Sequence, residues 1–265
     1  MDKKIHSETY FILNLLRLIL IFPFFILLFL FSKKIREFMK KELTQLKNFF
    51  FETPCTNFLI VANVIIFIVQ IFYLNHSGII ENYVTKYQET LVFPNTIFAS
   101  IAAWFLHANP AHLLGNMLVL FIFGRIIERE YQKKTLLIYF GSGIVSAILV
   151  LIMNEPGIGA SGCIAGLIST ALLLEPFYLT YIVIIPLPVI IFGWISIWSD
   201  ITGILSNTVD NIGHFAHLGG YIAVMLFIFV SQFQKRKKLI KGIIINVIFL
   251  AITIGTYLYF RGKIV

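Results

Sequence analysis

The sequence predicts an all-α integral membrane protein: a six-helix bundle with one extra transmembrane helix at each end. Three observations predict it. Of 265 residues, 58% are hydrophobic and 13% charged, whereas a soluble domain carries about a quarter charged residues, so lipid must be part of the solvent. Eight continuous apolar runs approach or reach the roughly 20 residues that a helix needs to cross the hydrocarbon core. Fifteen of the 21 Lys and Arg fall in three short segments, which eight crossings place on one side of the membrane.

Only helices and closed barrels satisfy every backbone group in lipid. The runs lack the alternation of barrel strands, so each is expected as a helix. The first, at 10–31, is longer than the apolar core of a secretory signal peptide and has no Ala-x-Ala cleavage signature, so a retained span is expected. Residues 33–48 read as an amphipathic interfacial helix with Ile35, Phe38, Met39 and Leu43 on one face. Its lysines suit anionic lipid head groups at the cytoplasmic face. The second run, 57–75, is followed by an external loop, 76–108. The third to fifth runs lie at 111–128, 134–153 and 161–177. The sixth, 179–199, is interrupted by Pro186 and Pro188, so it is kinked or entered late. The seventh and eighth lie at 213–232 and 240–260. No internal repeat is visible. The expected organisation is an N-terminal addition at 1–54, the six-helix core at 55–233 and a C-terminal addition at 234–265.

Charge placement sets the orientation. The basic segments are 33–47, 125–134 and 235–241, while the opposing loops 76–108, 154–160 and 200–212 contain a single basic residue, Lys86. By the positive-inside rule the basic segments face the cytoplasm, and both termini then lie outside. The net charge of +8 is accounted for by topology and lipid, so no nucleic-acid partner is expected. Cys55 and Cys163 are too far apart, and too apolar in setting, to build a disulfide framework or a zinc ribbon.

Polar residues inside spans are costly and mark function. The third span is entered through His107-Ala-Asn-Pro-Ala-His112-Leu-Leu-Gly-Asn116, with His112 and Asn116 one turn apart on a shared face. The fifth opens with Gly159-Ala-Ser161-Gly162 and continues to Gly166; the seventh opens with Gly213-His214-Phe-Ala-His217-Leu-Gly-Gly220. All three lie at the external ends of their spans. Gly162 with Gly166, and Gly213 with Gly220, are expected to let the helices pack closely. A serine hydroxyl becomes a nucleophile when imidazole takes its proton, and the developing oxyanion needs donors such as an Asn amide, a second His or a backbone N–H.

These three motifs, in this order and on these spans, resemble the signatures of rhomboid proteases; Asn116 to Gly124 followed by Glu128 is also similar to that family's second core helix. The resemblance covers roughly residues 55–232. It implies Ser161 as nucleophile and His217 as general base of a dyad, without a third carboxylate. It also implies an oxyanion hole from His112, Asn116 and the Ser161 N–H. His107, Glu128, Gly159, Gly162, Gly166 and Gly220 would be supporting residues. Substrates would be transmembrane proteins cut near their outer ends, at a site opening to the extracytoplasmic side of a cell membrane, with no cofactor. Two departures are visible: no arginine precedes His107 in the stretch Phe98 to Trp104, and Ala165 stands where some rhomboids stack an aromatic on the catalytic His. Loop and ring must then be held otherwise.

Zinc in a membrane metalloprotease calls for His-Glu-x-x-His, which is absent, and no carboxylate is near either His pair in sequence, so no metal is expected. Cys163 reads as packing, and Trp194 and Trp198 as anchors at the outer end of their span. By the same resemblance that span could form a lateral gate. A transporter would show repeated halves or paired broken helices. The main alternative is an inactive rhomboid relative that binds transmembrane clients.

Overall fold

The computed structural model describes residues 51–74, 94–182, 185–206, 212–231 and 236–264, with the single positions 37, 40, 44, 47, 82, 84 and 86. The expected span at 10–31 lies outside the described residues, as do Ile35, Phe38, Met39 and Leu43. Glu37, Lys40, Thr44 and Lys47 are helical and exposed, at the three-and-four spacing of one helix face.

Eight α-helices have described bounds. The first, α1 (Pro54–Val69), begins with proline at N1, where its missing N–H has no partner to lose, and ends in a π-helical turn, Gln70–Leu74. A short helix, α2 (Asn95–Ala103), lies in the stretch expected to be loop. Asn109 caps α3 (Pro110–Tyr131) by accepting the His112 N–H at 2.8 Å. The next helix, α4 (Lys134–Met153), ends on Asn154 in the left-handed conformation. Then come α5 (Ser161–Leu174), strands β1 (Leu179–Ile182) and β2 (Ile185–Pro188), and α6 (Val189–Ser206), α7 (His214–Ser231) and α8 (Arg236–Ile264).

The sixth crossing is entered late, as Pro186 and Pro188 led us to expect, but what precedes it is strand and not helix. Leu179–Ile182 pairs antiparallel with Ile185–Pro188, Leu179 opposite Pro188 and Ile182 opposite Ile185. The helix starts only at Val189, whose N–H donates to Tyr178 O at 2.9 Å while that of Ile190 donates to Pro176 O at 2.8 Å. Apolar, β-branched residues flanked by prolines satisfy a hairpin as well as a helix by hydropathy alone. The late start carries α6 to Ser206 and draws Asp200 inside it.

The centre of the bundle is α5, buried at every position from Gly162 to Leu174 and packed against α3, α4, α6, α7 and α8. A helix apolar all round belongs in such a place. Its 14 residues rise about 21 Å at 1.5 Å per residue, short of the roughly 30 Å of hydrocarbon. Around it, Phe58, Ile65, Ile144, Ile148, Ile195 and Val247 are all exposed, an apolar periphery that only lipid tolerates. Five described helices are long and apolar enough to cross a membrane: Pro54–Phe72, Pro110–Tyr131, Lys134–Met153, Val189–Ser206 and Lys237–Thr256. The chain is a multi-pass membrane protein.

Trp194 is also not where expected. It lies early in α6, donates through Nε1 to Asn246 Oδ1 of α8 at 2.9 Å and stacks on Phe249; Trp198 is exposed. Asn246 completes the tie by donating to Leu172 O of α5 at 2.9 Å.

Candidate active site

The starts of α3, α5 and α7 and the last turns of α6 meet at one end of the bundle. The approach of α5 and α7 is backbone to backbone. A Cβ on Gly220 would collide with the Gly162 carbonyl oxygen and lie 2.8 Å from Ala165 Cβ, and one on Gly162 would collide with Ser146 Oγ of α4 and lie 3.1 Å from Ala216 O. Gly166 is likewise closed off by Ser142. A Cβ on the expected Gly213 would meet only Ala216, at 3.4 Å, whereas one on Gly219 would stand 2.6 Å from Ser146 Cα, so the further close approach is by Gly219. This seam brings Ser161 and His217, each one residue from a contact point, to adjoining turns of touching helices.

Ser161 is the first residue of α5 and partly exposed. The helical ladder begins with the Ile164 N–H on Ala160 O at 3.0 Å, so the N–H groups before it have no helical acceptor and the dipole there favours an anion. Gly159, just upstream, has φ +131°, a conformation suited to glycine, and its N–H is held by Ala103 O at 2.7 Å.

His112 and Asn116 flank this loop from α3. A Cβ on Gly159 would stand 2.8 Å from His112 Nε2 and 3.4 Å from Asn116 Nδ2. His112 Nδ1 accepts the Ala108 N–H at 3.4 Å, which leaves the ring proton on Nε2, facing the loop. Asn116 Nδ2 is buried with no hydrogen-bond partner among the described residues. Both groups are donors, and both are aimed beside the first turn of α5.

The entering loop is anchored without an arginine. Gln70 clamps the His107 peptide, donating to its carbonyl at 3.0 Å and accepting its N–H at 3.2 Å, and Trp104 packs beside Gly143 and Phe140. His107 is fully buried, edge-on to His112 with centroids 5.1 Å apart. Burial, with His112 adjacent, lowers its pKa from 6.5 to about 4, so the ring is neutral. Glu128 is at the far end of α3. Its carboxylate accepts the N–H groups of Cys55 and Thr56 and the Thr56 hydroxyl, each at 2.7 Å, and so caps α1.

One group absent from the sequence-based site is Asp200. The expectation that no carboxylate attends these histidines is overturned: Asp200 Oδ1 lies 2.8 Å from His217 Nδ1 and 2.8 Å from His214 Nδ1, and Oδ2 accepts the Tyr221 hydroxyl at 2.8 Å. The span boundary at 199 had consigned Asp200 to a loop. The signal that could have found it is a lone carboxylate in the run Phe192 to Leu205. Asp200, His214 and His217 also offer metal-ligand atoms within 4.8 Å of one another. The contacts have hydrogen-bond lengths, so N–H and O–H donors already occupy both carboxylate oxygens. Cys163 is buried against Gly143 on another face of α5.

The Rhomboid domain model matches residues 94–233, just over half of the chain. Relatives include the mitochondrial RHOMBOID-like protein 12 of Arabidopsis thaliana, 27% identical over 190 residues, which are 61% of this chain and 54% of that protein. The chloroplastic Rhomboid-like protein 11 of the same plant is 30% identical over 151 residues, 51% of this chain and 53% of that protein. The Rhomboid protease GluP of Bacillus subtilis (strain 168) is 29% identical over 165 residues, 58% of this chain and 30% of that protein. The match thus spans about half the length of the two plant relatives and under a third of the bacterial one.

Proposed function

This chain belongs to the rhomboid family, and from that footing we propose that it is an intramembrane serine endopeptidase. Ser161 is the nucleophile and His217 its general base. His112, Asn116 and the Ser161 N–H form the oxyanion hole, and His107, Glu128, Gly159, Gly162, Gly166 and Gly220 hold the frame. The reading rests above all on Asn116 Nδ2, a buried donor with no acceptor among the described residues, beside the nucleophile's loop. An unsatisfied buried donor costs about 1–3 kcal/mol, and a substrate oxyanion relieves that cost at the moment charge develops.

In the reaction, Ser161 Oγ attacks the scissile carbonyl carbon while its proton passes to His217 Nε2. The tetrahedral oxyanion takes hydrogen bonds from His112 Nε2, Asn116 Nδ2 and the Ser161 N–H. Collapse breaks the C–N bond, and His217 returns the proton to the leaving amine. Water, deprotonated by the same imidazole, then releases the acyl group. No cofactor takes part. The family's bilayer setting supports transmembrane protein substrates. The residues 55–233 form a six-helix core with one helix added at each end. The site opens to the extracytoplasmic side of a cell membrane, with the basic segments on anionic lipid in the cytoplasm and no nucleic-acid partner.

The test is a fluorescent fluorophosphonate applied to the purified chain in micelles, with Ser161→Ala and His217→Ala alongside. Labelling of wild type alone is expected. A folded wild-type protein that stays unlabelled overturns the protease reading and favours client binding.

A further inference from the structure

We propose that Asp200 is a positioning residue for His217, so that the site works as a serine–histidine–carboxylate relay; its catalytic consequence rests on the protease reading above. The carboxylate is 5% exposed on α6, which makes an unpartnered charge there expensive. It is fully engaged: Nδ1 of His217 and Nδ1 of His214 share Oδ1, and the Tyr221 hydroxyl takes Oδ2, all at 2.8 Å.

A carboxylate only accepts hydrogen bonds. His217 Nδ1 must therefore carry its proton, which leaves the Nε2 lone pair as the free base. This is the tautomer that proton abstraction from Ser161 requires. When Nε2 takes that proton the ring becomes an imidazolium, and its Nδ1–H bond to Asp200 becomes charge-assisted. The proton stays on the histidine throughout and is given to the leaving amine; Asp200 remains ionised and no charge is left over.

The packing around His217 calls for such a holder. Ala165 Cβ lies 2.8 Å from where a Gly220 Cβ would be, so α5 and α7 leave no room between them for an aromatic that could stack on the ring. Orientation has to come from the ring edge, and Asp200 supplies it from a third helix. His214 and Tyr221 in turn fix Asp200. Gly203, one turn along α6, makes room for His214: a Cβ there would collide with the imidazole.

The full chain in micelles tests this in two ways. In the fluorophosphonate reaction, Ser161 Oγ displaces fluoride from phosphorus as His217 takes the proton, so the maximal labelling rate reads the base and the half-saturating concentration reads binding. Asp200→Asn should slow the maximal rate about 10³- to 10⁴-fold, as removal of an orienting carboxylate does in serine proteases, with half-saturation little changed. Asp200→Glu should restore part of it, and Tyr221→Phe, which leaves Oδ1 in place, should cost less, about 10- to 100-fold, on the scale of one hydrogen bond to a charged group. An Asp200→Asn protein that labels at the wild-type rate overturns the proposal.

The second readout needs no activity. Nitrogen-15 NMR of histidine-labelled wild type, with the His217 signals identified by their loss in His217→Ala, should show Nδ1 protonated and Nε2 bare. The opposite tautomer overturns the proposal. If the wild-type protein shows the expected tautomer but never labels, the carboxylate's orienting role stands and the protease reading falls.

Discussion

At the end of the bundle holding the basic residues, every acceptor oxygen of Glu128 is occupied: three donors from the start of α1 sit at 2.7 Å. Arg125, fully buried, donates to Thr53 at 2.7 Å and pairs with Glu52 at 3.1 Å, and Arg129 reaches the same Glu52. At the opposite end Asn116 Nδ2 is buried with nothing to donate to among the described residues, and His112 Nε2 faces the Gly159 loop. The closed Glu128 cap contributes stability and has no acceptor left for chemistry. The open one sacrifices stability to keep donors ready for a charge not yet formed. The Asp200 cluster combines both: its carboxylate is closed, and what it holds in place is an open base.

That contrast can be broken by mutation, because residues at one end should affect rate and those at the other should affect stability. The largest effect belongs to Ser161→Ala, which should lower hydrolysis of a transmembrane substrate at least about 10⁴-fold with an unchanged unfolding midpoint. Asn116→Ala should cost about 10²- to 10³-fold in turnover, the loss seen for one oxyanion donor. It should leave the unfolding midpoint equal to or above wild type, since it removes an unsatisfied group. A clear loss of stability in Asn116→Ala would mean that the donor has a structural partner and that the contrast is mistaken.

Glu128→Gln should do the reverse. It weakens charge-assisted bonds worth about 1.5–3 kcal/mol, so denaturant unfolding should shift markedly while turnover of the remaining folded protein stays near wild type. His107 provides a pH signature. Its folded pKa, about 4, lies below the usual 6.5, so the folded protein binds fewer protons than the unfolded chain between those values. Its contribution is present above pH 6.5 and is lost as pH falls toward 4. Thermal unfolding in micelles should show that loss, and His107→Gln should flatten it. The smallest effect expected is from Asn246→Leu, which severs the Trp194 and Leu172 hydrogen bonds at about 0.6 kcal/mol each, the average for interhelical bonds in membranes. A larger drop would make α8 part of the core rather than an addition.

Much of the fold was legible because hydropathy and charge are local. The third and fourth crossings, expected at 111–128 and 134–153, are α3 and α4 with their ends close to those limits, since charged or capping residues bound both. The short α2 was missed: its nine residues have no side-chain cap hydrogen bond and no charge pattern to announce them. The hairpin at 179–188 was read as helix because alternate pairings of the same apolar residues have the same hydropathy. That misreading cost Asp200, which fell one residue outside the expected span.

By itself, the sequence determined that the chain lives in lipid, which helices cross, and that Ser161, His112, Asn116 and His217 stand at one end of them. Those are consequences of composition, period and spacing along a single chain. The tertiary structure decided that Gly219 rather than Gly213 makes the close approach, that His214 is seated against Gly203, and that a carboxylate 17 residues upstream of His217 meets its Nδ1. These depend on the depth and rotation of one helix against another, which are set by packing between segments distant in sequence.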